Sequence, residues 1–322
     1  MAEFALIDLI AARCALARED VWLGIGDDGA VLAPPPGMHL VVATDTLVSG
    51  VHFPPATAPA DIGWKALAVN LSDLAAMGAT PAWASLALTL PTADRDFVAG
   101  FADGFAELAR AHRVALIGGD TTRGPLAITL TVHGFVEPGC ALRRDGALVG
   151  DGVYVTGTLG DAAAGLRCID ADFEPGLAPT TRAELLHRLN RPQPRIVAGI
   201  ALRGRASACI DVSDGLIADL AHVARCSAVG MEIDVDALPA SAALQSLADA
   251  SARTQLQLAG GDDYELAFTM PAAHAAVLQE IATRDEFVFT CIGRVVEGAG
   301  VRLHDAHGNP IETPQRGWEH FA

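Results

Sequence analysis

Gly24-Ile-Gly-Asp-Asp-Gly29 has the Gly-x-Gly-x-x-Gly spacing of a dinucleotide-binding turn but lacks that turn's context. The fingerprint needs a strand before it, a helix after it and a bare backbone facing pyrophosphate. Here Pro34-Pro-Pro36 follows and forbids a helix of useful length, while Asp27-Asp28 would repel an uncompensated pyrophosphate. The stretch therefore argues against a Rossmann oxidoreductase.

Outward from this turn, Phe4, Ile7, Ile10 and Cys14 at helical spacing predict a helix over 3–18. Ala30-Val-Leu32 should run through Pro34–Gly37, hairpin-like, to a strand at 39–43 that delivers Thr44-Asp-Thr46 at its end. Ile62, Ala66, Val69, Leu71 and Leu74 predict a helix over 60–78 with Asp73 near its end, stopped by Gly78. A strand at 82–90, a helix at 94–111, a strand at 113–118 and an alternating run at 126–136 complete the first half. Pro138, Gly139, Gly146 and Gly150 mark a boundary.

The second half predicts a strand at 153–155, a helix opening at Gly160, a Pro-punctuated helical stretch at 181–203 and a strand at 208–212. Helices at 215–227, 240–249 and 272–284 then alternate with strands at 231–235, 264–270 and 287–296, and His304 and His307 flank Asp305 in a terminal hairpin. Alternation in both halves predicts two α/β or α+β domains, 1–137 and 150–322. Asn70-Leu-Ser-Asp-Leu74 echoes Asp211-Val-Ser-Asp-Gly215, and Gly118-Gly-Asp120 echoes Gly260-Gly-Asp262, as related halves would.

With 322 residues, 51% hydrophobic and 19% charged, the chain can bury a substantial core. Its apolar stretches break before the ~18 residues of a membrane span, and Glu3 and Asp8 oppose an export signal. A cytoplasmic protein with no membrane partner is expected. A net charge of −17 argues against nucleic acid as a partner, and would repel ATP equally unless divalent cations intervene. The six cysteines form no Cys-x-x-Cys pair and read as small core residues.

A Walker loop is excluded because the only lysine, Lys65, follows Trp64, and the protein-kinase signature is missing as well. What recurs is aspartate at expected element ends: Asp27, Asp28, Asp45, Asp73, Asp120, Asp211 and Asp214. An isolated loop aspartate usually forms a turn or caps a helix. Dispersed single carboxylates also suit Mg²⁺, which keeps several waters and is shared with substrate phosphates.

Five stretches together resemble the thiamine-monophosphate kinase family: Gly24–Ala30, Thr44-Asp-Thr-Leu-Val-Ser-Gly-Val-His-Phe53, Asn70-Leu-Ser-Asp-Leu-Ala-Ala-Met-Gly-Ala79, Gly118-Gly-Asp-Thr-Thr-Arg-Gly124 and Asp211-Val-Ser-Asp-Gly-Leu216. The likeness continues through Arg191-Pro-Gln-Pro-Arg195, Gly260-Gly-Asp-Asp-Tyr-Glu-Leu266, Cys291-Ile-Gly293 and Trp318-Glu-His-Phe321. It implies an aminoimidazole-ribotide synthetase-like fold: an N-terminal ATP- and Mg²⁺-binding domain whose sheet pairs in a homodimer, and a C-terminal α/β domain completing the nucleotide and substrate site. The implied activity is ATP-dependent phosphorylation of thiamine monophosphate to thiamine diphosphate, with several Mg²⁺ ions.

By the same resemblance Asp28, Thr44, Asp45, Asp73, Asp120, Asp211 and Asp214 would bind Mg²⁺, with Asp45, Asp120 and Asp214 the catalytic candidates. Gly119, Asp120, Arg144 and Ser213 would contact ATP, and His52, Asp262 and Trp318 the thiamine phosphate. Ala43 stands where the family commonly has a hydroxyl residue, and Asp262 where it has Glu. Selenophosphate synthetases and hydrogenase-maturation carbamoyl dehydratases share the implied fold but depend on a thiol. No cysteine lies between Cys14 and Cys140, and Phe321-Ala322 supplies none. From another class, a nucleotide- or metal-binding regulator without catalysis is the competing expectation.

Overall fold

The computed structural model describes residues 3–285, 287–312 and Gly317. The chain divides into two compact units, Met1–Leu74 with Ala79–Gly139, and Ala75–Gly78 with Cys140–Ala322.

The first unit comprises α1 (Glu3–Cys14), β1 (Val21–Leu23), β2 (Val31–Leu32), β3 (His39–Val48), α2 (Pro59–Ala76), β4 (Thr80–Leu90), α3 (Arg95–Ala111), β5 (Ala115–Arg123) and β6 (Ala127–Val136). Its four-stranded sheet has the order β3-β6-β4-β5. β4 and β5 run parallel and are joined by α3, as a parallel pair requires a crossover. Asp94 starts α3 by accepting the N–H groups of Asp96 and Phe97.

The helix expected from the apolar spacing forms as α2, and every residue from Ile62 to Ser72 is buried, Lys65 included. A helix buried all round needs close neighbours. Gly63 and Gly104 allow this approach: a Cβ on Gly104 would lie 1.8 Å from the Ala60 carbonyl oxygen.

Three expectations are corrected here. Val31–Leu32 pairs with Val21–Leu23 rather than leading a hairpin with the strand at 39, because Leu32 and Val21 pack on Trp83, Ile117 and Phe135. The strand at 39–43 continues to Val48, paired with β6 along its whole length, so Thr44-Asp-Thr46 lies within the strand. Likewise β5 runs on through Gly118-Gly-Asp120 to Arg123.

The second unit contains β7 (Gly152–Thr156), α4 (Asp161–Arg167), α5 (Pro179–Asn190), α6 (Ile196–Leu202), β8 (Ala208–Asp211), α7 (Leu216–Ser227), β9 (Gly230–Asp234), α8 (Ala242–Gln245), α9 (Ala250–Ala259), β10 (Leu266–Met270), α10 (Ala275–Asp285), β11 (Phe289–Val296), β12 (Gly300–His304) and β13 (Pro310–Ile311). Its seven-stranded sheet has the order β13-β12-β9-β11-β7-β10-β8. Apolar side chains of α7, among them Leu216, Leu220 and Val223, join Val153, Ile210, Met231 and Ile292 in the core.

Pro192 and Pro194 divide the expected 181–203 helix into α5 and α6. The helix expected at 240–249 is the short α8, and α9 was not anticipated. Asp249 starts α9 afresh by accepting the N–H groups of Ser251 and Ala252. The internal echo has no structural counterpart: Asn70–Leu74 is helix whereas Asp211–Gly215 is a strand end and turn, and Gly118–Asp120 is strand whereas Gly260–Asp262 follows a helix. No helix among the described residues is long and apolar enough to cross a membrane. Cys14, Cys168 and Cys209 are buried as expected, but Cys226 and Cys291 are exposed.

Candidate functional site

In the first unit, Asp28 lies on the loop between β1 and β2, its N–H donating to Asp27 Oδ1 at 2.8 Å. This loop, α1, and the middles of β4 and β5 enclose a cavity of about 760 Å³. Phe4, Ile7 and Ile25 supply apolar wall, while Asp28, Gly119 and Asp120 line it with polar groups. A concave site of mixed character is what a small-molecule ligand needs.

Alternation along β3 separates two neighbouring candidates. Thr44 Oγ1 bonds Thr131 Oγ1 at 2.9 Å on the exposed face. Asp45 receives Asn70 at its backbone, its N–H donating to Asn70 Oδ1 at 3.0 Å, while Asn70 Nδ2 donates to the Ala66 carbonyl. Side chains of successive strand residues point to opposite faces, so Thr44 can share a ligand with Asp45 only through its carbonyl. Ala43, paired with Val132, shares the face of Asp45 but has only a methyl side chain, so it too could offer a ligand only its carbonyl. Asp73 is half-buried three residues beyond Asn70 on α2.

His52 Nδ1 accepts the Val48 N–H at 2.9 Å, which places the ring proton of a neutral imidazole on Nε2. Gly119 has φ +150°, and a Cβ there would lie 1.8 Å from the Leu86 carbonyl oxygen, so glycine is needed where β5 carries Asp120 into the cavity.

In the second unit Asp211 ends β8, and Ser213 and Asp214 form the turn into α7. The half-buried Asp262 has φ +60°; its N–H donates to the Ser213 carbonyl at 2.8 Å and its Oδ1 accepts the Tyr264 hydroxyl at 3.1 Å. Arg144 is exposed, its carbonyl accepting Ser227 Oγ at 3.0 Å. Trp318 lies outside the described residues.

Sequence reading missed several groups that hold these in place. Asp219 is 3% exposed, and its Oδ2 accepts the N–H groups of Ser213, Asp214 and Gly215 at 3.0, 3.2 and 3.2 Å. Burial, then the charges of Asp211 and Asp214, push its carboxyl up to about 8, against the pull of those amides. The available signal was an aspartate in the first turn of a helix whose N-cap, Gly215, has no side chain to cap with. Asp263, buried, accepts the Gly160 N–H on both oxygens, and burial drives its carboxyl well above the usual range.

Among the described residues no three His, Cys, Asp or Glu side chains converge enough to hold a metal alone. The donor set still suits Mg²⁺: its side chains offer only oxygen, and it is dispersed as single carboxylates on several elements.

The two halves match models of the AIR synthase related proteins, the N-terminal domain over residues 26–136 and the C-terminal domain over 149–306. That defines the fold class. Within it, the thiamine-monophosphate kinase of Salmonella typhimurium is 47% identical over 323 residues, covering 99% of this chain and 98% of the relative. The crystal structure of the Stenotrophomonas maltophilia thiamine-monophosphate kinase is 50% identical with a TM-score of 0.88, covering 97% of this chain and 98% of its own. A second structure, AaThiL complexed with AMPPCP and TMP, is 34% identical with a TM-score of 0.76 over 99% of this chain and 97% of its own. The chain belongs to the thiamine-monophosphate kinase family.

Proposed function

We propose that this protein transfers the γ-phosphoryl group of ATP to thiamine monophosphate, giving thiamine diphosphate and ADP. The observation that carries the reading is near end-to-end similarity to AaThiL, whose complex holds the ATP analogue AMPPCP together with TMP. In the reaction a phosphate oxygen of thiamine monophosphate bonds to the γ-phosphorus while the bond to the β–γ bridging oxygen breaks, and ADP leaves with that electron pair. The acceptor phosphate is already ionised near pH 7, so no side chain has to remove a proton. This agrees with the absence of a Ser/His/Asp or similar motif from the sequence.

Mg²⁺ would be held by Asp28, Asp45, Asp73, Asp120, Asp211 and Asp214 with the Thr44 carbonyl, and would supply charge neutralisation for the two anionic substrates. Asp45, Asp120 and Asp214 are the carboxylates we assign nearest the chemistry. Gly119 and Ser213 would position ATP, with Arg144 adding positive charge, and His52, Asp262 and Trp318 would contact the acceptor. The domain assignment is 1–137 for ATP and metal and 150–322 for completing the nucleotide and substrate site.

A homodimer is supported by β3, an edge strand with Leu40 and Val42 half exposed. Six free cysteines suit a reducing, cytoplasmic setting. A coupled ADP-release assay with ATP, Mg²⁺ and thiamine monophosphate tests the function. Release that depends on thiamine monophosphate is expected; nucleotide binding without such release would leave the regulator reading instead.

A further inference from the structure

At the N-terminus of the twelve-residue α7, the N–H groups of Ser213, Asp214 and Gly215 converge on one point. Helix termini of this kind, with bare amides and the positive end of the dipole, ordinarily receive phosphate directly. Here the point is already taken by Asp219 Oδ2. With Asp219 3% exposed, a phosphate that displaced it would leave a buried carboxylate without its donors. The other edge of the turn is engaged too: Asp262 N–H donates to the Ser213 carbonyl at 2.8 Å and Tyr264 N–H to the Val212 carbonyl at 2.9 Å. Gly261 permits that approach, since a Cβ there would lie 2.5 Å from the Ser213 oxygen.

We propose that Asp219 is a positioning residue that fills the amide nest of α7 and fixes the Asp211–Asp214 turn so that it offers carboxylates to a divalent cation rather than amides to phosphate. The proposal rests on the kinase reading above for the identity of the phosphate ligand. It predicts a division of labour within the turn: backbone groups are spent on holding the shape, and the Asp211 and Asp214 side chains face the ligand. A neutral amide at position 219 can accept the same three N–H groups, so hydrogen-bond acceptance is the property that matters, and net charge is secondary.

Mn²⁺ titration of the intact protein without nucleotide, followed by the electron paramagnetic resonance of the free ion, tests this alongside ADP release. Asp219→Ala should weaken Mn²⁺ binding at least about tenfold and lower kcat more than it raises the KM for thiamine monophosphate. Asp219→Asn should stay within about threefold of wild type on both measures. Mn²⁺ binding by Asp219→Ala equal to wild type, a folded Asp219→Asn as impaired as the alanine variant, or a wild type that binds no Mn²⁺ would each overturn the proposal. Should Asp219→Ala not fold, Asp219→Asn decides alone: near-wild-type binding supports the proposal and a tenfold loss overturns it. Failure of wild-type ADP release would instead strike the kinase reading, while the Mn²⁺ series would still report on Asp219.

Discussion

Arg195 Nε donates to Glu265 Oε2 at 2.6 Å, and its Nη2 reaches the other carboxylate oxygen, so α6 is pinned to the segment entering β10 by a two-pronged ion pair. Arg188 Nη2 adds a third donor at 3.1 Å and Thr156 Oγ1 a fourth at 2.6 Å. Glu265 is 1% exposed, whereas the two arginines are about one-fifth exposed. Removing the carboxylate would therefore take the two-pronged partner from Arg195 and leave Arg188 with the more distant Asp161 Oδ2 at 3.6 Å, at a place water reaches only in part. Glu265→Ala should lower unfolding free energy by about 3 kcal/mol, at the low end for a broken buried pair because the arginines retain some solvent. Urea denaturation checks this, and a loss below about 1 kcal/mol would show that the network contributes little.

Gly118 and Gly119 are adjacent on β5 but should respond oppositely to alanine. A Cβ at Gly118 meets nothing within 4 Å, whereas at Gly119 it strikes the Leu86 carbonyl of β4. Gly118→Ala should change stability by no more than about 0.5 kcal/mol. Gly119→Ala should cost about 3 kcal/mol and displace Asp120 from the cavity. Thermal unfolding of the two variants side by side is the measurement, and equal melting points would contradict the close approach.

Asp20 carries a pH signature. Hydrogen bonds from Arg18, and a weaker one from Trp83 Nε1 at 3.2 Å, hold its carboxyl below the ordinary carboxylate range despite partial burial. A depressed folded pKa contributes stability that is complete above the unfolded value near 4 and is lost as pH falls through the folded value. The stability difference between wild type and Asp20→Asn should thus be constant above about pH 5 and shrink in more acid solution. Guanidinium unfolding at stepped pH checks the sign; a difference that grew on acidification would refute it.

Much of this architecture was legible from periodicity and punctuation. The helix at Arg95–Ala111 and the strand at Thr80–Leu90 lie within two residues of expectation, because apolar spacing and a capping Asp94 coincide there. Elements set by long-range pairing were harder to read. Nothing local says that the strand at His39 runs on to Val48; its partner β6, 79 to 97 residues downstream in the pairing His39↔Val136 to Val48↔Ala127, holds it extended. The aspartates were legible as individuals from their motifs, but the groups orienting them were not. Asn70 looks like one more helical residue, and Asp219 like an ordinary first-turn carboxylate, until the turn beside it folds back.

Thr44 and Asp45 provide the sharpest test of how β3 serves the reaction, because they are neighbours with opposite orientations. The Thr44 hydroxyl is engaged with Thr131 on the exposed face, so any contribution from Thr44 to a cation near Asp45 comes from its carbonyl. Thr44→Val keeps that carbonyl and suits a strand, and should alter turnover by less than about threefold, under ~0.7 kcal/mol of barrier. Asp45→Asn removes the charge proposed to balance the cation yet leaves the backbone hydrogen bond to Asn70 in place. Its turnover should fall at least about 100-fold, the scale of losing one electrostatic partner of a transition state, with the melting temperature nearly unchanged. Parallel ADP-release and thermal-unfolding measurements on the two variants decide the matter. Equal losses in both would mean that the Thr44 side chain turns inward during catalysis, and an active Asp45→Asn would remove Asp45 from the metal-binding set.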